Sequence, residues 1–149
     1  MSILRTAAVS EKYRTLLAVM KATDLEELLD HSGPFTVFAP SDHAFEKFSR
    51  SSNDDLMHPD HKKELKALLT YHIVAGKLSA SKILKALSRG KGKTTFTTLQ
   101  GDSITATMKG IDIILSDSFG NTATIVVADS NQRNGIIHEI DAVIRPKKL

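Results

Sequence analysis

The spacing of apolar residues changes part-way along this chain, and that change limits the folds open to it. Up to about residue 93 they recur at three- and four-residue intervals, as on one face of a helix. Beyond that point they alternate, as on one face of a strand. Helices first and strands later in one chain point to an α+β architecture. At 149 residues the chain is long enough for one domain with its own core, expected to span residues 1–149.

In the helical part, Val9, Tyr13, Leu16, Leu17 and Met20 fall on one face. Asp24 is placed to cap a second short helix, with Glu26 and Glu27 in its first turn and Leu25, Leu28 and Leu29 as its apolar residues. Ser32-Gly33-Pro34 ends it. Phe35-Thr36-Val37-Phe38 suits a strand, and Pro40 stops it. Ser41 or Asp42 can cap a helix that turns Ala44, Phe45 and Phe48 inward. Residues 51–55 read as a polar loop. Pro59 opens a longer helix with Leu65, Leu68, Leu69 and His72 on its inner face. Gly76 closes it, or a short strand after it. Ser79 or Ser81 opens a last helix with Ile83, Leu84 and Leu87 inward, and Gly90 ends it.

Strands are expected at 94–99, 103–108, 112–116, 123–128 and 135–144. Gly101-Asp102, Lys109-Gly110 and Gly120-Asn121 fall between them as turns. The absence of cysteine excludes a disulfide framework, a thiolate nucleophile and Cys-ligated zinc. The longest apolar runs, such as Ile125 to Ala128, are far below the roughly 20 residues of a spanning helix. Arg5, Glu11, Lys12 and Arg14 interrupt any signal-peptide apolar core near the start, so export implies a leader removed ahead of Met1.

Three stretches carry a family resemblance. Phe35-Thr36-Val37-Phe38-Ala39-Pro40 runs into Ser41-Asp42-His43-Ala44-Phe45, a strand entering a helix. Tyr71-His72 follows Leu68-Leu69 and precedes Ile73-Val74. Asn134-Gly135-Ile136-Ile137-His138-Glu139-Ile140-Asp141-Ala142-Val143-Ile144 comes last. In that order and at that spacing they resemble the first conserved box, the Tyr-His motif and the second conserved box of the fasciclin (FAS1) family. The resemblance covers about residues 2–147 and is closest to single-domain bacterial members. It implies a wedge-shaped β-sandwich flanked by several α-helices. It implies an adhesion or extracellular binding role, with a cell-surface or matrix protein or a glycan as partner. The implied location is extracellular, periplasmic or at the cell surface. It implies no cofactor.

The residues themselves give these motifs plain structural jobs. Phe35, Val37, Ala44 and Phe45 anchor a strand to the helix that covers it. Asn134-Gly135 reads as a turn whose glycine admits positive φ. Ile136, His138 and Ile140 share one strand face, and Ile137, Glu139 and Asp141 the other.

Two surface sites are candidates for binding. In the animal proteins that this chain resembles, the Tyr-His motif and its aliphatic neighbours are implicated in integrin binding, which here maps to Tyr71, His72 and Ile73. Chemistry alone reads His72 as a core histidine satisfied by backbone groups and Tyr71 as a packing residue. A second integrin-linked motif of the family places Asp-Ile before the last box. Here Asp129-Ser130 keeps the acid and lacks the aliphatic residue, which argues against an integrin. The other candidate is a basic segment, Lys82, Lys85, Arg89, Lys91 and Lys93, with no acid among residues 82–93. It suits an anionic polysaccharide or lipid head group, in a loop expected to be mobile around Gly90 and Gly92. No aromatic residue interleaves with the charges, which disfavours single-stranded nucleic acid.

The charge is uneven. Residues 1–64 hold 8 basic and 11 acidic side chains, and residues 65–149 hold 12 and 6, so the halves carry −3 and +6. His58-Pro59-Asp60-His61 is the one metal-like cluster, but Pro59 starts a helix and leaves His58 outside it. No Gly-x-Ser-x-Gly elbow, phosphate loop or dinucleotide fingerprint is present. The leading function is therefore a non-enzymatic adhesion module. The alternative is a soluble protein that binds an anionic polysaccharide or lipid through residues 82–93.

Overall fold

A computed structural model of the chain describes residues 1–51 and 59–147. Its helices are α1 (Ile3–Val9), α2 (Arg14–Ala22), α3 (Glu26–His31), α4 (Asp42–Ser51), α5 (Lys62–Thr70) and α6 (Ala80–Arg89). Its strands are β1 (Phe35–Pro40), β2 (Ile73–Ala75), β3 (Lys93–Thr97), β4 (Ser103–Lys109), β5 (Asp112–Ser116), β6 (Thr122–Gln132) and β7 (Gly135–Ile140). The chain folds as α+β, with the helical front half packed on a sheet built largely from the back half.

The strands form one hydrogen-bonded sheet in the order β2-β1-β7-β6-β5-β4-β3. β1 and β7 are parallel, and the other neighbours are antiparallel. The long strand β6 joins two halves. Residues 122–124 pair with β5, whereas residues 125–132 pair with β7 across two register shifts. Such bulges bend a sheet, and the sheet turns over on itself here. Phe38, Val74 and Ile140 from one half pack with Ile104, Ala106, Leu115 and Ala123 from the other in a shared core. The Leu99 N–H donates to the Ile73 carbonyl at 2.8 Å, tying the chain after β3 to β2 and nearly closing the sandwich.

The opposite face of β1 and β7 carries the helices. Val37, Ala39 and Ile137 pack there against Ile3, Leu16, Met20, Leu29, Ala44 and Leu65. Each such Leu or Ile, fully buried, contributes about 1.5–3 kcal/mol relative to exposure.

Local differences from the sequence reading have identifiable causes. The first apolar face is split between α1 and α2, and Val9 is exposed, because Ser10 ends α1. Ile3 and Ala7 fill the core in its place. Asp24 does not cap α3. It sits at φ 60° and pairs with Lys62, while Leu25 occupies the cap position without a side-chain bond. Ser41, not Asp42, caps α4, accepting the Ala44 N–H at 3.3 Å. Asp42 instead accepts the Thr15 N–H at 2.7 Å. Pro59 opens a 3-10 turn ahead of α5, and His72 lies beyond the end of α5 at the entry to β2. Leu84 is exposed, since α6 turns Ile83 and Leu87 inward. The segment around Gly90 and Gly92 is a bonded turn. The Gly92 N–H donates to the Leu87 carbonyl at 2.7 Å, with Lys91 in the left-handed region at φ 57°. The expected loop at 51–55 lies outside the described residues from 52 onward.

The last strand stops at Ile140 rather than at Ile144. Asp141 leaves the ladder with its Oδ1 accepting the Thr124 N–H at 2.8 Å. The chain beyond is held by side chains. His72 takes the Ile144 N–H, Asp117 the Arg145 N–H and Asp102 the Lys147 N–H.

Gly135 is required for space and not for positive φ. Its φ is ordinary, but a Cβ there would lie 1.9 Å from the Phe35 carbonyl oxygen. Its neighbour Asn134 joins three elements. The Asn134 Oδ1 accepts the Ile3 N–H at 2.9 Å, and Nδ2 donates to the Leu29 and Ser32 carbonyls at 2.8 and 2.9 Å.

Candidate functional site

Tyr71 and His72 meet as edge-to-face rings, 6.1 Å apart, and both are buried. The Tyr71 hydroxyl donates to the Ser103 carbonyl at 2.8 Å. Burial, then the Asp117 and Asp102 carboxylates, push that phenol up to about 12. The His72 Nδ1 lies 2.8 Å from the Leu68 carbonyl, and Nε2 lies 3.3 Å from the Ile144 N–H. The carbonyl can only accept and the amide can only donate, so the ring is neutral with its proton on Nδ1. Burial agrees, pushing His72 down to about 4. Ile73, next in the motif, is fully buried.

Asp129 lies elsewhere, in the irregular part of β6, at φ 62° and exposed to solvent. Its Oδ1 accepts the Ala80 N–H at 2.8 Å, where α6 begins. Ser79 supplies the usual cap one residue before, accepting the Lys82 N–H at 3.2 Å. A carboxylate beside open N–H groups at a helix start is favourable. Beneath it, fully buried His138 accepts the Asp129 N–H on Nδ1 at 3.1 Å and donates from Nε2 to the Leu78 carbonyl at 2.6 Å. Its ring stacks on Phe38 at 5.8 Å. Burial holds His138 below the ordinary imidazole range, against the Leu78 bond and the Asp129 charge.

The two parts of the resemblance-derived adhesion motif are thus not brought together as one surface. What the bulge does expose is Val126, Val127 and Ala128 beside Asp129, with the valines 50% and 48% accessible. The sequence shows these residues as a plausible strand, and nothing in an alternating run signals two register shifts.

The basic segment is on the surface. Lys82, Lys85 and Arg89 lie along the outer side of α6, and Lys91 and Lys93 continue into β3, all exposed. The Lys82 Nζ donates to the Lys77 carbonyl at 3.1 Å. Among the described residues no three His, Asp or Glu side chains cluster as metal ligands, and His58 lies outside those residues.

Residues 11–146 match the Fasciclin domain family. The chain belongs to the fasciclin family. This fasciclin domain is 37% identical over 146 residues to protein sll1483 of Synechocystis sp., covering 98% of this chain and 74% of that relative. It is 32% identical over 116 residues to the cell surface glycolipoprotein MPB83 of Mycobacterium bovis, covering 78% of this chain and 46% of that protein. Its fold matches a FAS1 domain pair from the insect cell adhesion molecule fasciclin I with a TM-score of 0.82 at 19% identity. The match covers 96% of this chain and 50% of that one.

The fold of the fasciclin domain gives the three family motifs their places. The first and last boxes are β1 and β7, paired in parallel from Phe35 opposite Gly135 to Pro40 opposite Ile140. The Tyr-His motif leads into β2 on the other side of β1. Among the described residues no helix is long and apolar enough to cross a membrane.

Proposed function

We propose that this fasciclin domain, acting as one unit over its 149 residues, is a non-enzymatic adhesion module that binds a cell-surface or matrix protein or glycan outside the cytoplasm. The observation that carries the reading is the β6 bulge. Val126, Val127 and Asp129 stand exposed beside the start of α6, on a frame fixed from beneath by His138. Function placed on irregular segments over a rigid scaffold is common. The fold neighbour is a cell adhesion molecule, and one relative bears the name of a cell surface protein, which supports the setting. The two buried histidines do not serve as general bases, because both nitrogens of each ring are already engaged with backbone groups. Tyr71, His72 and Ile73 act as frame rather than contact.

The test is attachment of cells to the immobilised domain. A Val126→Ser/Val127→Ser/Asp129→Asn variant should lose attachment at unchanged melting temperature, while Tyr71→Phe keeps it. Full attachment by the triple variant overturns the assignment of the bulge.

A second reading is favoured by the five exposed cations of α6, β3 and the turn between them. They suit an anionic polysaccharide or lipid head group through salt-dependent contacts. Retention on heparin or anionic vesicles at about 150 mM salt, lost on replacing Lys85, Arg89 and Lys93 by Gln, would support it.

A further inference from the structure

Away from the bulge, one cleft is lined by an arginine whose Nε is buried and, among the described residues, lacks an acceptor. It measures about 360 Å³ and lies between α4 and the chain that follows β7. Phe48 and Val143 supply apolar wall, and Lys47, Asn121, Thr122 and Arg145 supply polar groups. The Arg145 Nε is buried and meets no hydrogen-bond acceptor among the described residues. The guanidinium stands 5.9 Å from the centre of the Phe48 ring. A buried N–H left without a partner bears the full loss of its hydration, so an oxygen supplied by a ligand is favoured there. Asp117 does not fill that role. Its Oδ2 accepts the backbone N–H of Arg145 at 2.8 Å and the Asn121 amide at 3.0 Å, and its Oδ1 accepts two further N–H groups. Lys47 adds a second, exposed cation at the cleft.

The position of the cleft narrows the ligand. Ala123 and Ile140 both belong to the inner core, so Thr122 faces the opposite side of the sheet. Over β1 and β7 that side is covered by helices. Beyond them, Thr122 pairs with Ser116, Ser116 with Thr105 and Thr105 with Thr95. Four hydroxyl side chains thus cross four strands in a row, with Thr95 and Thr122 exposed and the middle two half-buried. Neighbouring strands are about 4.8 Å apart, so the row runs roughly 14 Å. The cleft lies at one end of this row, with Thr122 common to both.

We propose that the cleft binds the acidic unit of a glycan. A carboxylate or sulfate oxygen accepts from the Arg145 Nε–H and is neutralised by Lys47. The apolar face of the sugar meets Phe48 and Val143, and adjoining units follow the hydroxyl row. The proposal does not depend on the β6 bulge, so either can fail alone.

The experiment titrates the whole chain with four probes while following the Arg145 Nε–H by NMR. These are a glucuronate-containing tetrasaccharide, a sulfated tetrasaccharide, a neutral tetrasaccharide and inorganic sulfate. One of the two acidic oligosaccharides should shift that signal saturably, and which one does identifies the acid. Arg145→Gln should weaken binding tenfold or more. Thr122→Val should weaken it by about fivefold. Thr122→Val lies outside the buried network and serves if Arg145→Gln fails to fold. The proposal is overturned if both acidic probes leave the signal unmoved or the neutral probe binds as well. It is equally overturned if inorganic sulfate binds as tightly as the oligosaccharides, or if neither variant weakens binding.

Discussion

The backbone N–H of Asp129 is held by the Nδ1 of His138 across the β6–β7 pairing, at 3.1 Å. One buried, titratable ring therefore fixes the left-handed turn that presents the exposed carboxylate and starts α6. Protonation of Nδ1 would abolish its capacity to accept that N–H.

Acid should open this turn. Burial lowers the folded-state value for His138 beneath the unfolded one. The unfolded chain therefore binds more protons as pH falls below about 6.5, and the stabilisation present at neutral pH is lost toward the folded value. Hydrogen exchange measured at pH 7 and pH 5 should show the Asp129 and Ala80 amides losing protection before the β1 and β7 amides. Uniform loss across the sheet would contradict this.

His72 should add a second acid sensitivity. Its value falls from 6.5 to about 4 on folding, chiefly through burial. Stability should therefore decline as pH drops from about 6.5 to about 4, by about 3 kcal/mol at most. Urea denaturation at several pH values measures it. His72→Ala at pH 7 should cost about 3 kcal/mol, since it creates a cavity and strands the Leu68 carbonyl and the Ile144 N–H.

Two glycines should respond to alanine for opposite reasons. Gly135→Ala forces a methyl to within 1.9 Å of the Phe35 carbonyl and should separate β1 from β7, at a cost above about 3 kcal/mol. Gly92→Ala has open space around it but φ 94°, and should cost only about 1 kcal/mol. Thermal melts of the two variants should rank accordingly; equal melts would remove the distinction.

Asn134→Ala should destabilise by about 3 kcal/mol, because it unpairs the Ile3 N–H and the Leu29 and Ser32 carbonyls together. Asn134→Asp should fare little better, as a carboxylate accepts from Ile3 but cannot donate to the two carbonyls. Chemical denaturation with both variants checks the order.

Much of this architecture is legible from residue order. The change of period after residue 93, the capping Ser79 and the terminating Gly90 are local signals, and each has its structural counterpart. The errors concern matters a local pattern does not encode. Val9 and Leu84 are apolar at helical spacing yet exposed, because tertiary packing chose other residues to face inward. The end of β7 depended on Asp141 turning to a partner 17 positions earlier. The candidate surface sites were least legible. The β6 bulge follows from how two strands of unequal reach pair, and the Arg145 cleft from elements more than 90 positions apart in sequence.

Every residue of β1 lies opposite one that is a hundred positions later, as Val37 lies opposite Ile137. While the chain is being made, β1 gains its neighbour β2 early, but its other edge stays vacant until β7, a hundred positions later, has emerged. Loop closure over such a span is slow. Synthesis and folding of this sheet are thereby separated in time, and its centre stays open until β7 is free to add itself.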